Sequence, residues 1–232
     1  EKGIDLATAI AEITREANRE AEKLELENAP DIDDMETIED AFVPFDDSNV
    51  EGKEVEDNSS GDNDNTSQEP PKPKTPSGNQ QSQQMKNDIG ERGEFLAMKH
   101  LKKIWSRKAT LISETETVLE FEDANKEIIT ISLLNSENKK GIGCDIIIKK
   151  GEEEIEFIEV KSTKMEDKDL FPVNGYQWSL AYKKFKLGQG NKYSFYIVKN
   201  VLSKKSPITI IKNPIKKWKD GELRAHPVNL EL

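Results

Sequence analysis

Apolar positions are unevenly distributed along the chain, and their spacing divides it into three stretches. Between residues 4 and 28, Leu6, Ile10, Ile13, Ala17, Ala21 and Leu24 recur three or four positions apart, with charged residues between them. That is the period of one helix face. It predicts an amphipathic helix within residues 1–29, read as the tail of an upstream module. Residues 30–86 lose the period. "DIDDMETIED" is acidic, "NSSGDNDNTSQ" is polar, and "EPPKPKTPSGNQQSQQ" is rich in Pro, Ser and Gln. Such residues bury too little apolar surface to offset the entropy of ordering them. They predict a disordered acidic linker with a root-mean-square span of about 40 Å, interrupted by one apolar island, "AFVPF" at 41–45.

Periodicity returns over residues 87–232. "DIGERGEFLAMKHLKKIW" places Phe95, Met98, Leu101, Ile104 and Trp105 at helical spacing, with Asp88 as the expected N-cap. "TVLEFED" and "EIITISLL" predict a hairpin turning at Asp123-Ala124-Asn125, and "CDIIIKK" and "EIEFIEVKS" a second one turning at Lys150-Gly151-Glu152. "NGYQWSLAYKKFKLG" reads as a helix stopped by Gly188 and Gly190. "KYSFYIVKNV" and "PITIIKNP" read as strands, and "KKWKDGELRAHPVNL" as a turn with a closing hairpin. The order is helix, strands, helix, strand. It predicts one α/β or α+β domain of ordinary size.

Charge changes this picture. Residues 1–86 carry a formal charge of −15 and residues 87–232 one of +4, which together make the chain's −11. Residues 181–219 contain eleven lysines and no acidic residue. The second half is therefore suited to an anion, and at low salt the acidic stretch is expected to compete for it. No apolar run approaches the roughly 18 residues of a membrane span, and no signal peptide is apparent. The chain begins with Glu1, as a fragment or a processed chain would. The single cysteine, Cys144, excludes an internal disulfide framework and fits a reducing compartment, so a cytoplasmic location is expected. Only two histidines, His100 and His226, are present, which disfavours a zinc site or a histidine-based triad. No P-loop motif occurs.

The candidate chemistry lies in the second predicted hairpin. Alternation puts Phe157, Glu159 and Lys161 on one face of a strand, with Ile158 and Val160 on the other. A turn centred near residue 152 sets Asp145 opposite Glu159. Two carboxylates in contact repel unless a cation sits between them. Mg²⁺ accepts such a pair. It lowers the pKa of a bound water and offsets charge on phosphorus, and a nearby lysine assists that water or the developing charge. The plainer account of "EIEFIEVKS" is a strand with one solvated face. Gly141 and Gly143, just ahead of Asp145, would allow close approach of a ligand.

Asp145 followed by Glu159-Val160-Lys161 resembles the PD-(D/E)XK nuclease motif, with Cys144 where proline often precedes the Asp. "IGERGEFLAMKHL" ahead of "GIGCDIII" and "IEFIEVKST", then "GYQWSLA" and "KYSFYIVKNV", more closely resembles the NO VEIN C-terminal domain, over about residues 88–232. The resemblance implies a restriction-endonuclease-like core, a mixed central sheet flanked by helices. It implies Mg²⁺ or Mn²⁺ held by Asp145, Glu159 and the Val160 carbonyl, with Lys161 acting on the water or the scissile phosphate and Glu94 supporting the site from the first helix. Gln177 stands where the family often has Glu. The resemblance also implies an upstream ATPase or helicase module and a role in genome defence.

Nucleic acid, DNA in the first instance, is the expected partner. Lys183, Lys184 and Lys186 are the candidate backbone contacts, Ser162, Thr163 and Lys164 candidate phosphate contacts, and Tyr176 a candidate stacking ring. Trp178 and Tyr182 read as core residues, Cys144 as a packing residue, and Glu91 as a first-turn acid. The expected activity is metal-dependent phosphodiester hydrolysis. The alternatives are a catalytically silent fold that binds nucleic acid or protein, and a purely structural domain.

Overall fold

The computed structural model describes residues 6–40, 79–134 and 142–225. The island at 41–45, most of the predicted linker, Gly141 and His226 lie outside them. Four α-helices are described: α1 (Leu6–Glu27), α2 (Asn79–Trp105), α3 (Gly175–Lys186) and α4 (Pro214–Lys219). The strands are β1 (Glu36–Asp40), β2 (Thr110–Glu114), β3 (Val118–Glu122), β4 (Ile128–Leu133), β5 (Ile146–Lys150), β6 (Glu153–Ser162), β7 (Tyr193–Val198) and β8 (Lys205–Lys212). They form one mixed sheet in the order β1-β8-β7-β6-β5-β4-β3-β2.

β2 to β6 run as an antiparallel meander. α3 then carries the chain across one face, so that β7 lies parallel to β6. The burial pattern explains the layers. β3 and β4 alternate buried and half-buried residues, as strands covered better on one face do. All six residues of β7 are buried, which marks the strand covered on both faces. On one face Leu96, Ala97 and Leu101 of α2 pack on Ile131, Ile146, Ile158 and Val160. On the other, Ala181 of α3 and Ile215 of α4 pack on Phe157, Tyr193 and Phe195. α2 lies very close to the sheet at Gly93, where a Cβ would come within 2.3 Å of the Ser162 Cβ.

Four elements depart from the sequence reading. The stretch assigned to the linker contributes β1, which pairs parallel with β8 from Glu36↔Lys205 to Asp40↔Thr209. Met35 is 2% exposed within the main core. The Lys99 ammonium donates to the carbonyls of Ile32 (2.9 Å), Asp33 (2.6 Å) and Met35 (2.7 Å). Arg92 donates to Pro30 O and Val201 O, joining the same segment to the loop before β8. These long-range partners give an acidic, locally featureless stretch its order.

α2 begins at Asn79, so Asp88 lies inside the helix and does not cap it. β2 had no apolar alternation to reveal it, because it is an edge strand whose residues are mostly exposed. The start of the stretch read as a turn with a closing hairpin is helix α4, with Asn213 accepting from Lys216 N and Pro214 in the first turn, and residues 226–230 of that stretch lie outside the described residues. The stripe of α1 is left largely uncovered: Ile13 is 67% and Leu24 55% exposed. Among the described residues no helix is long and apolar enough to cross a membrane.

Candidate active site

β5 and β6 meet as the sequence predicted. Ile146 pairs with Ile158 and Ile147 with Phe157, and Gly151 turns the hairpin at a φ of 56°. Asp145 stands one residue ahead of β5, beyond the last strand pair. The Asp145 N–H donates to Ile158 O at 2.8 Å, and its carboxylate accepts the Val160 N–H at 2.8 Å. The acid thus takes up a ladder donor that β5 no longer reaches. Phe157 belongs to the core layer beneath α3, and Ile158 and Val160 to the layer beneath α2. Alternation therefore sets Glu159 and Lys161 toward α3.

This face is not solvated. Glu159 is 4% and Asp145 9% exposed. The account of β6 as an open, half-exposed strand therefore fails at the residues that matter. The Lys161 ammonium lies 3.0 Å from Glu159 Oε1 and donates to Gln177 Oε1 at 2.9 Å. The amide nitrogen of Gln177 donates to the same Glu159 oxygen. Gln177 is held in turn by the start of α3. Asn174 and Gln177 exchange side-chain and backbone hydrogen bonds in a capping box, at 2.8 and 3.0 Å. The sequence reading left position 177 without a role. The signal was present as Asn174-x-x-Gln177, a helix-start pattern that says nothing about what else the amide touches.

Tyr193 and Gly143 complete the surroundings. The Tyr193 hydroxyl donates to Gly143 O at 2.9 Å. Its pKa is pushed above the ordinary value, first by burial and then by the charges of Glu159, Cys144 and Asp145, so it stays protonated and donating. Gly143 has a φ of 80°, and a Cβ there would come within 2.5 Å of the Tyr176 carbonyl. Backbone conformation and contact with α3 both require glycine here. Cys144 is buried in the layer beneath α3, as a packing residue should be.

The other candidates divide. Glu94 is half-buried on α2, next to the Gly93–Ser162 contact, in the layer opposite to that of Glu159 and Lys161. Ser162 donates to Ile89 O at 2.9 Å and Thr163 accepts from Met165 N at 3.2 Å, so both hydroxyls serve the fold. Lys164 pairs with Glu25 of α1. The three lysines of α3 do not share a face. Lys184 turns inward, its ammonium 3.9 Å above the Phe157 ring, while Lys183 and Lys186 are exposed. Tyr176 is 68% exposed, and Tyr182 is also exposed rather than core. Trp178 is half-buried and meets Trp218 edge to face at 5.6 Å.

A family model described as "Protein NO VEIN, C-terminal" matches residues 93–211, just over half of the chain. The chain belongs to this family. The NO VEIN C-terminal match runs from within α2 to within β8. It takes in Glu94, Asp145, Glu159, Lys161 and Gln177, and leaves out β1 and α4. It is shorter at both ends than the sequence resemblance implied. Neither the curated proteins nor the solved structures give a match.

Proposed function

We propose that this NO VEIN C-terminal domain is a metal-dependent nuclease of the PD-(D/E)XK type, hydrolysing phosphodiester bonds in nucleic acid, with DNA favoured. One observation carries the reading: Asp145, whose carboxylate accepts the Val160 N–H, and Glu159 on the adjoining strand are both buried, with the Lys161 ammonium 3.0 Å from Glu159. Two buried carboxylates on adjoining chain segments, with a lysine beside them, fit a hard divalent ion. Among the described residues no group of three His, Cys, Asp or Glu side chains gathers. Mg²⁺ and Mn²⁺ keep several waters and can be held by one or two carboxylates. Asp145, Glu159 and the Val160 carbonyl would hold the ion. When bound, it supplies a water of lowered pKa and offsets charge gathering on phosphorus.

The chain's own groups do the rest. The Val160 N–H fixes the Asp145 carboxylate. The Lys161 ammonium meets the attacking water or the scissile phosphate. Glu94 supports the site from α2. Lys183 and Lys186 offer exposed positive charge to the phosphate backbone. In this reading the domain is the effector of a larger genome-defence protein and works with an ATPase or helicase module, a step that rests on the family resemblance alone.

One observation favours the second reading, a silent fold that binds nucleic acid or protein: Lys161 is already engaged by Glu159 and Gln177. The full chain, incubated with linear duplex, single-stranded DNA and RNA in Mn²⁺ and in EDTA, separates the two. Cleavage that needs metal and disappears in Asp145→Asn and Lys161→Ala supports the nuclease. Binding without cleavage, unchanged in both variants, supports the silent fold.

A further inference from the structure

We infer that Gln177 is the positioning residue of this site: its side-chain amide fixes Glu159 and Lys161 relative to each other. The inference rests on the reading above for its catalytic meaning and on geometry for its content. An amide has two unlike ends, and three one-way groups decide how this one points. The Asn174 N–H can only donate, and it meets Oε1 at 2.8 Å. The Lys161 ammonium can only donate, and it meets the same oxygen at 2.9 Å. The NH₂ end is therefore left facing Glu159 Oε1, which as a carboxylate oxygen accepts. Gln177 is 8% exposed, so these contacts are made out of water, where each counts for more.

The first turn of α3 is thereby built into the site. Gln177 ties the ammonium and the carboxylate to a helix end that Gly143 and the Tyr176 carbonyl hold against the loop before Asp145. Lys161 keeps a second acceptor besides Glu159, so its position does not depend on that carboxylate alone. A cation drawn to Glu159 would weaken the ion pair without releasing the lysine.

One substitution separates positioning from mere capping. Gln177→Glu keeps an oxygen for the Asn174 N–H, since Glu serves in a capping box as well as Gln. It removes the donor to Glu159 and brings a second carboxylate to it. The measurement is NMR of the labelled full chain in metal-free buffer. It follows the Lys161 ammonium signals, assigned by their loss in Lys161→Arg, the Glu159 carboxylate carbon, assigned by Glu159→Gln, and the Asn174 amide as a report on the cap. Gln177→Glu should keep the Asn174 amide protected while the Glu159 signal moves. Gln177→Met should speed exchange of the Lys161 ammonium protons by about tenfold, as loss of one hydrogen bond to a charged group requires. If Gln177→Glu leaves both the Glu159 and Lys161 signals in place with the cap intact, Gln177 is a helix cap only and the inference is overturned. A Mn²⁺ titration, read as line broadening at Asp145 and Glu159, tests the metal separately. Absence of broadening removes the metal site and leaves the Gln177 result standing.

Discussion

Replacing Lys161 with Met removes an ammonium 3.0 Å from Glu159 while keeping most of the side chain's volume. The two side chains are 14% and 5% exposed, and their charged atoms lie 3.0 Å apart. At an effective dielectric of about 20 that contact corresponds to roughly 5 kcal/mol of attraction. Breaking one side of a buried pair costs about 3–5 kcal/mol, because the remaining charge stays buried. The donor from Gln177 remains and offsets part of this, at about 1.5–3 kcal/mol for a hydrogen bond to a charged group. The expected destabilisation is therefore about 1.5–2 kcal/mol. Urea unfolding of the full chain measures it. The double variant Lys161→Met with Glu159→Gln should recover at least about 1 kcal/mol of that loss, since the stranded charge is gone. A loss below about 0.5 kcal/mol, or strict additivity of the two substitutions, would refute the view that the pair is buried and mutually dependent.

Three further outcomes follow from other parts of the molecule. Met35→Ala should cost about 2–5 kcal/mol in urea unfolding, since Met35 is 2% exposed in the core, and proteolysis should then open the chain between residues 28 and 40. Gly143→Ala should lower the thermal midpoint sharply, because it combines a φ of 80° with a carbonyl 2.5 Å from the new Cβ, and the Lys161 and Gln177 signals should shift with it. Burial lowers the pKa of His100 from its ordinary 6.5, aided by Lys103 and Arg107 and opposed by Glu39. The unfolded chain then binds a proton that the folded chain resists, so stability falls as pH drops below about 6.5. His100→Phe should flatten that part of the stability profile in thermal melts between about pH 7.5 and 5.

Much of the site was legible because it rests on local pairing. A turn at Gly151 and alternation suffice to pair β5 with β6 and to put Glu159 and Lys161 on one face, and the observed register agrees from Ile146↔Ile158 to Ile148↔Glu156 before it shifts toward the turn. What was not legible depends on partners far away in the chain. β1 reads as linker because its order comes from Lys99, Arg92 and the edge of β8. Periodicity cannot tell that Lys184 folds inward over Phe157 while Lys183 stays out, since both read as surface lysines. Gln177 escaped because one side chain serves a helix end and an ion pair at once. No single local pattern carries both duties.

The docking of β1 changes what the acidic stretch after it connects. With residue 40 on the sheet edge and residue 79 opening α2, residues 41–78 join two points of the same body. The stretch closes a loop, and its contour length does not set how far one module can travel from another. Closing such a loop costs only about 0.6 kcal/mol more for each doubling of its length. Insertions or deletions there should therefore be nearly neutral to the fold. Any module joined ahead of α1 would communicate with the sheet through the short path from α1 into β1.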